Sequence, residues 1–366
     1  MTPTQDRHII FIHLDLGIGG AEQLVINLAL ASLKAKNKVS IFTTHCSPAH
    51  CFNEVKPNGT LHSSLHVYGT FIPPSVFRLG TAFFSTIRIL YITLAAIWFY
   101  PDADVMVLDV LPTSIPLLRM FHKAAILFYC HFPDKLLTRD TVNGVSISSQ
   151  TKTSKLRQLY RFFFDYVEKF TMSCSDMIVM NSAFTKSEVC QAFQWGEMSF
   201  ILQKMRILYP AIEFDNFQVQ SNPSETKTSL TGLGPIVSLN RFERKKNVDI
   251  LLHAYSLLLE HSKKSSKISS PPPLVIAGGY DPRNIENAQY MSELQDLAET
   301  LNIPSGERDG MISFQPNVSN AQRSCLLSSA SCLCYTPNRE HFGIVPIEAM
   351  YAGTPVIAVN SGKTGL

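Results

Sequence analysis

Residues 8–44 read HIIFIHL, DLGIGG, AEQLVINLALASLKA and, after Lys36 and Asn37, KVSIFTT. A short apolar run fits a buried strand, the glycines break it, a helical pattern follows, and β-branched residues return the chain to a strand. Working outward, DVMVLDV (104–110), AILFYCH (125–131) and DMIVMNS (176–182) repeat the strand signal, with helical segments between them. Short, nearly all-apolar strands alternating with helices predict an α/β class with a parallel sheet covered on both faces.

The pattern lapses over residues 214–234, where FDNFQVQSNPSETKTSLTGLG is rich in Ser, Thr, Asn, Pro and Gly. It restarts with PIVSLN (235–240), PLVIAGG (273–279), MISFQ (311–315), CLCYTP (332–337) and TPVIAVN (354–360), again with helices between. The expected organisation is a Rossmann-like domain over 1–213, a linker over 214–234 and a second Rossmann-like domain over 235–366, the two sheets facing a cleft. A loop, HSKKSSKISSPPP (261–273), interrupts the second domain.

A chain of 366 residues suits two domains. With 45% hydrophobic and 17% charged residues, it is neither disordered nor an acidic tail. A formal charge of +3 gives no reason to expect a nucleic-acid partner. The eight cysteines, at 46, 51, 130, 174, 190, 325, 332 and 334, form no C-x-x-C pair and read as reduced thiols. The sequons at Asn58 and Asn317 read as chance matches, since MTPTQDR lacks the basic and apolar regions of a signal peptide.

Ala82 to Tyr100, AFFSTIRILYITLAAIWFY, carries one charge, Arg88, and ends in Trp98, Phe99 and Tyr100. A helix docked on one leaflet, a buried core helix and a full span all fit, and docking at the membrane is the expectation. Tyr160 to Phe170, YRFFFDYVEKF, has aromatics on more than one face and reads first as a packing helix.

Four stretches carry candidate chemistry. Gly17-Ile-Gly-Gly20-Ala-Glu22 opens the first helix, where free amides and the helix dipole favour an anion, and Gly19 and Gly20 allow close backbone approach. Glu22 stands where a dinucleotide fingerprint needs glycine, and Thr43-Thr44-His45 supplies no ribose acid, which argues against a nicotinamide oxidoreductase. Arg241-Phe-Glu-Arg-Lys-Lys246 follows a strand, where Arg241 and Lys246 can converge on a diphosphate; a solvated charge cluster is the alternative, and the position at a strand end favours the first. In Glu340-His-Phe-Gly-Ile-Val-Pro-Ile-Glu348 a helix should begin near Ile344 to Pro346. The amides of Phe342, Gly343 and Ile344 can hold phosphate or sugar hydroxyls, with Glu340 and Glu348 on different parts of one ligand. His131 ends a buried strand, where α/β ligands bind, though a lone His there is often structural.

Taken together, GIGGAE, YCHFPD, NSAFT (181–185), LNRFERKKN and EHFGIVPIEAMYAGTPVIAVNSG resemble the GT4 family of retaining glycosyltransferases with the GT-B fold, over residues 8–362. Within it they are similar to the dolichol-pathway α-1,3/1,6-mannosyltransferases. The resemblance implies transfer from GDP-mannose to Man(1)GlcNAc(2)-PP-dolichol and then Man(2)GlcNAc(2)-PP-dolichol, at the cytosolic face of the endoplasmic reticulum membrane, beside other transferases of that pathway. It implies no cofactor and no metal. Gly19 and Gly20 would approach the donor phosphates, Arg241 and Lys246 would neutralise the leaving GDP, Glu340 and His131 would touch the transferred mannose, and Glu348 the ribose.

The family pattern continues past VNSG with a second Gly, then Pro, a residue and Glu, whereas this sequence ends Lys363-Thr364-Gly365-Leu366. The second domain is therefore expected to be truncated, with poor stability and low transfer activity, and a non-catalytic membrane-associated form is the alternative. Gly362-Lys363-Thr364 is no P-loop, because Ile357 stands where its first Gly is needed, and Asp102-Ala-Asp104 precedes its strand and gives no metal site.

Overall fold

The computed structural model describes residues 6–48, 50–75, 81–132, 141–142, 145–146, 155–195, 200–211, 233–264, 271–281, 284–305 and 310–360. Pro133, Asp134, the tail 361–366 and nearly all of the expected linker lie outside the described residues. The chain divides into two compact units, Met1–Ala211 and Ile212–Leu366.

The first unit is built on β1 (His8–Ile12), α1 (Gly20–Lys34), β2 (Lys38–Thr43), β3 (Leu65–Val67), α2 (Thr81–Phe99), β4 (Val105–Asp109), α3 (Ile115–Phe121) and β5 (Ala125–Cys130). A short antiparallel pair, β6 (Thr141–Val142) and β7 (Val145–Ser146), precedes α4 (Lys155–Ser173), β8 (Met177–Met180), α5 (Ala183–Phe193), α6 (Phe200–Lys204) and β9 (Met205–Ile207). Its main sheet runs β3-β2-β1-β4-β5-β8-β9, and every pairing is parallel. Side chains alternate across it: Ile10, Ile12, Met106 and Leu108 pack on one face with Ile89 and Ile92 of α2, while Phe11, Ile41 and Val107 pack on the other with Val25 and Ile26 of α1.

The second unit carries β10 (Ile236–Leu239), α7 (Val248–Lys264), β11 (Leu274–Gly278), α8 (Ile285–Thr300), β12 (Ile312–Pro316), α9 (Asn320–Ser329), β13 (Cys332–Tyr335), α10 (Ile344–Tyr351) and β14 (Val356–Ala358). Its order, β12-β11-β10-β13-β14, is again wholly parallel. In both sheets the order reverses beside the first strand, so the crevice for a ligand opens past the C-terminal ends of β1 and β4 in one unit and of β10 and β13 in the other. Gly278 is required at the second of these: its φ is +147°, and a Cβ there would lie 1.8 Å from the Asn240 carbonyl oxygen.

The apolar segment at 82–100 divides its two faces. Ile89, Ile92 and Ala96 enter the core, and Arg88 is buried in an ion pair with Asp15 and a hydrogen bond to Thr44. Phe83, Leu94, Trp98 and Phe99 face outward, with Trp98 82% exposed. By length and composition α2 is able to cross a bilayer, yet one side of it is part of the fold. Ile92→Ala should therefore destabilise the first unit by about 2–5 kcal/mol. Trp98→Ala should stay within about 0.5 kcal/mol. Denaturant midpoints of the two variants check this, and similar losses in both would show that the faces are misassigned.

Candidate functional site

In the first unit the strand ends gather an acid and two histidines. Asp109 closes β4, His13 follows β1 and His131 follows β5, and the parallel register sets these three ends side by side. His13 Nδ1 lies 2.7 Å from Asp109 Oδ1 and 2.8 Å from Oδ2, and His131 Nε2 lies 3.2 Å from Oδ2. The other nitrogen of His13, Nε2, is 3.0 Å from the Asp15 carbonyl oxygen, so the same histidine also ties the start of the glycine-rich loop.

Burial alone pushes the Asp109 carboxyl up. The charge of His13, with hydrogen bonds from His13 and His131, outweighs it and holds the carboxyl at about 2. Burial likewise pulls His13 down, and the charge and hydrogen bond of Asp109 turn the shift upward. His131 keeps 25% of its side chain exposed, with its ring 4.9 Å from that of Tyr129.

Gly19 is the residue before α1, with extended backbone, and Gly20 is the first of the helix. A Cβ at Gly20 would meet nothing within 4 Å, while one at Gly19 would strike the Glu22 carboxylate at 2.3 Å. Gly20 is thus open on its side-chain side while the Glu22 carboxylate lies against Gly19, and the first amides of α1 have no acceptor within the helix. The nearby string Asn181 to Thr185 serves the fold: the Ser182 hydroxyl accepts from the Thr185 amide and caps α5.

In the second unit the turn after β10 and the loop after β13 meet. Lys246 donates from Nζ to Glu340 Oε2 at 2.7 Å, with the two side chains 14% and 22% exposed. The Thr336 hydroxyl donates to the Lys246 carbonyl at 2.6 Å, and the Tyr335 hydroxyl also bonds Glu340. Arg241 stands apart: 64% exposed and 3.8 Å from Glu243, it has no ion pair with Glu340 among the described residues. Of the two cations, Lys246 is the one the structure joins to Glu340.

Helix α10 begins at Ile344, with Gly343 before it and Phe342 and His341 in the loop. A Cβ on Gly343 would lie 3.1 Å from the Tyr335 ring and 3.3 Å from Pro346, so only glycine fits the entry to this helix without pushing them aside. Burial lowers His341 to about 4, despite the Glu340 charge, which keeps a neutral imidazole beside Lys245 and Lys246. Glu348 is buried in α10. Burial raises its carboxyl, and the Arg323 guanidinium of α9, bonded to it, limits the rise.

Asp109, His13 and Arg323 belong to these clusters and were missed by motif reading. Arg323 had a signal, as the one charge in NAQRSCLLSS, and Asp109 another, as a carboxylate closing an otherwise apolar strand.

A profile for glycosyltransferase family 4 matches residues 18–216, and one for glycosyl transferases group 1 matches residues 228–365. The chain is 38% identical to the alpha-1,3/1,6-mannosyltransferase ALG2 of Rhizomucor pusillus, over 98% of this chain and 78% of that protein. It is 37% identical to that of Dictyostelium discoideum (98% and 83%) and 35% identical to that of Saccharomyces cerevisiae (99% and 71%). Among solved structures it is similar to a sucrose-phosphate synthase from Thermosynechococcus elongatus, with TM-score 0.67, 19% identity and 98% and 82% coverage. It is similar also to the lipopolysaccharide glycosyltransferase WaaG, with TM-score 0.60, 17% identity and the same coverage.

The His13–Asp109 pair has a pH signature. The depressed Asp109 contributes stability that is complete above about pH 4 and fades as pH falls toward 2, and the raised His13 contributes stability that is complete below about 6.5 and fades as pH rises through its higher folded value. The advantage of the wild type over Asp109→Asn in thermal unfolding should peak between these limits and shrink on both sides. A difference independent of pH would contradict the ion pair.

Proposed function

This chain belongs to glycosyltransferase family 4 and, within it, to the α-1,3/1,6-mannosyltransferases, and from that premise we propose how its residues carry the reaction. Identity of 35–38% to mannosyltransferases along nearly the whole chain supports the transferase over a non-catalytic form. The donor is GDP-mannose, and the acceptors are dolichol-diphosphate oligosaccharides carrying one and then two mannoses.

One observation supports the donor site above others: Lys246 and Glu340, from two separate motifs, meet at 2.7 Å past the strand ends of the second sheet. Lys246 and Arg241 neutralise the diphosphate as it leaves, the electrostatic task that a metal ion performs elsewhere, and no cofactor is needed. Amides of Phe342, Gly343 and Ile344 hold phosphate oxygens, Glu340 takes sugar hydroxyls and Glu348, fixed by Arg323, takes the ribose. Gly19 and Gly20 bring the backbone close to the phosphates, and His131 contacts the mannose. The bond from C1 to phosphate breaks while an acceptor hydroxyl attacks on the same face, its proton passing to the departing phosphate, so configuration is retained.

For location, the reading is the cytosolic face of the endoplasmic reticulum membrane, in the company of other transferases of the pathway. The outward apolar side of α2 supports membrane contact, as do Met120 and Phe121 of α3 and Phe163, Tyr166 and Phe170 of α4, all exposed.

Calorimetry with GDP tests the donor site. Lys246→Ala and Glu348→Ala should each weaken binding about tenfold or more, the worth of one charge-assisted hydrogen bond. Arg241→Ala should weaken it too, and transfer should survive EDTA. GDP affinity unchanged in all three variants would remove the proposed donor site. Vesicle flotation, with serine at Trp98 and Phe121, tests the membrane face: the variant should stay with the soluble fraction where the wild type floats.

A further inference from the structure

We propose that Asp109, clamped by His13, is a positioning residue for the transfer: it fixes His131 with its ring proton on Nε2 and leaves Nδ1 to face the sugar. The inference rests on the reading of His131 as the residue that contacts mannose.

The geometry sets every proton. His13 Nδ1 faces the two Asp109 oxygens and its Nε2 faces the Asp15 carbonyl, so both neighbours are acceptors. Both ring nitrogens of His13 must therefore donate, and His13 is an imidazolium. Asp109, enclosed in the fold, is its carboxylate, and Oδ2, which His13 also faces, has a second lone pair to accept from His131 Nε2 at 3.2 Å. A ring that gives Nε2–H to Asp109 carries its lone pair, when singly protonated, on Nδ1 at the far side. The directions of the Asp109 and His13 pKa shifts agree with this assignment.

The backbone holds the carboxylate in place. Val110, the next residue, has φ +63°, and the Leu111 amide donates back to the Asp109 carbonyl at 2.7 Å. That is a γ-turn of the strained hand on a β-branched residue, a conformation retained where the surroundings over-determine it. Stability alone is a poor reason for the arrangement, since a buried ion pair scarcely improves on apolar residues of the same volume. Three consecutive sheet positions converge on one carboxylate, and the member left partly open is His131.

A double-mutant cycle in the whole chain is the test, with mannosyl transfer as the readout and GDP binding as the check on folding. Asp109→Asn puts a donor where an acceptor is needed. It and His131→Ala should each lower kcat about tenfold or more, with KM for the donor little changed. The double variant should be no worse than His131→Ala, because Asp109 acts through His131. Equal losses from Asp109→Asn in both backgrounds, or no loss in either, would overturn the proposal. Full activity in His131→Ala would instead overturn the reading of His131 on which it rests. Nitrogen-15 spectra of histidine-labelled wild type, with His131 assigned by its absence from His131→Gln, need no Asp109 variant to fold. They should show His131 as the Nε2–H tautomer and His13 with both nitrogens protonated at neutral pH, and the Nδ1–H tautomer at His131 would refute the inference.

Discussion

The parallel pairing of β1 with β4 and of β4 with β5 is the constraint on which the first unit's chemistry depends. Ile12 is set beside Leu108, and Asp109 beside Tyr129, so the residues just past each strand end fall in a row. A slip of one residue in either pairing would turn Asp109 to the opposite face and leave His13 buried without a counter-charge. The apolar alternation of Ile10, Ile12, Met106 and Leu108 against α2 opposes such a slip, because it would expose the whole set. Hydrophobic register and polar geometry are thus one specification.

The same row ties the glycine-rich loop down from two directions. His13 holds the Asp15 carbonyl, and Arg88 holds its carboxylate from α2. Arg88 is nearly enclosed, so its charge is acceptable there only with such partners. The helix whose outer side is apolar is therefore coupled by one buried guanidinium to the turn that opens α1. The single charge in that segment, which the sequence displays as a blemish in a membrane-like run, is the link between a surface and a site.

Much of this was legible in the residues. Continuous apolar runs such as VMVLD and LVIAG, interleaved with helical stretches, were enough for two parallel sheets, because strands covered on both faces have no polar side to show. The start of α10 near Ile344 followed from Gly343 and Pro346. Asp109 with His13, and Arg323 with Glu348, could not be read in the same way. The first pair are 96 positions apart and the second 25, and a pairing that arises only when strands or helices are placed side by side leaves no local period. For α2 the difficulty was of another kind: both faces are apolar, so periodicity does not tell the buried side from the exposed one, and Arg88 gave the answer only once Asp15 was seen beside it.

The second unit orders its charges through contacts within the fold. Lys246 is mostly enclosed and ordered against Glu340, so the entropy of fixing a long ammonium side chain is already spent in the fold. On the proposed reading, a diphosphate, which carries more negative charge than one carboxylate and accepts at several oxygens, would compete for Lys246 at short range and free Glu340 to accept from hydroxyl groups. Glu348 does not take part in that exchange, since Arg323 holds it from a different helix and leaves its second oxygen as an acceptor. On that reading one acid exchanges its partner and the other keeps it. The seven residues between them, running through the glycine that admits the helix start, are what place the first on a loop that can give up its cation and the second on a helix that keeps one.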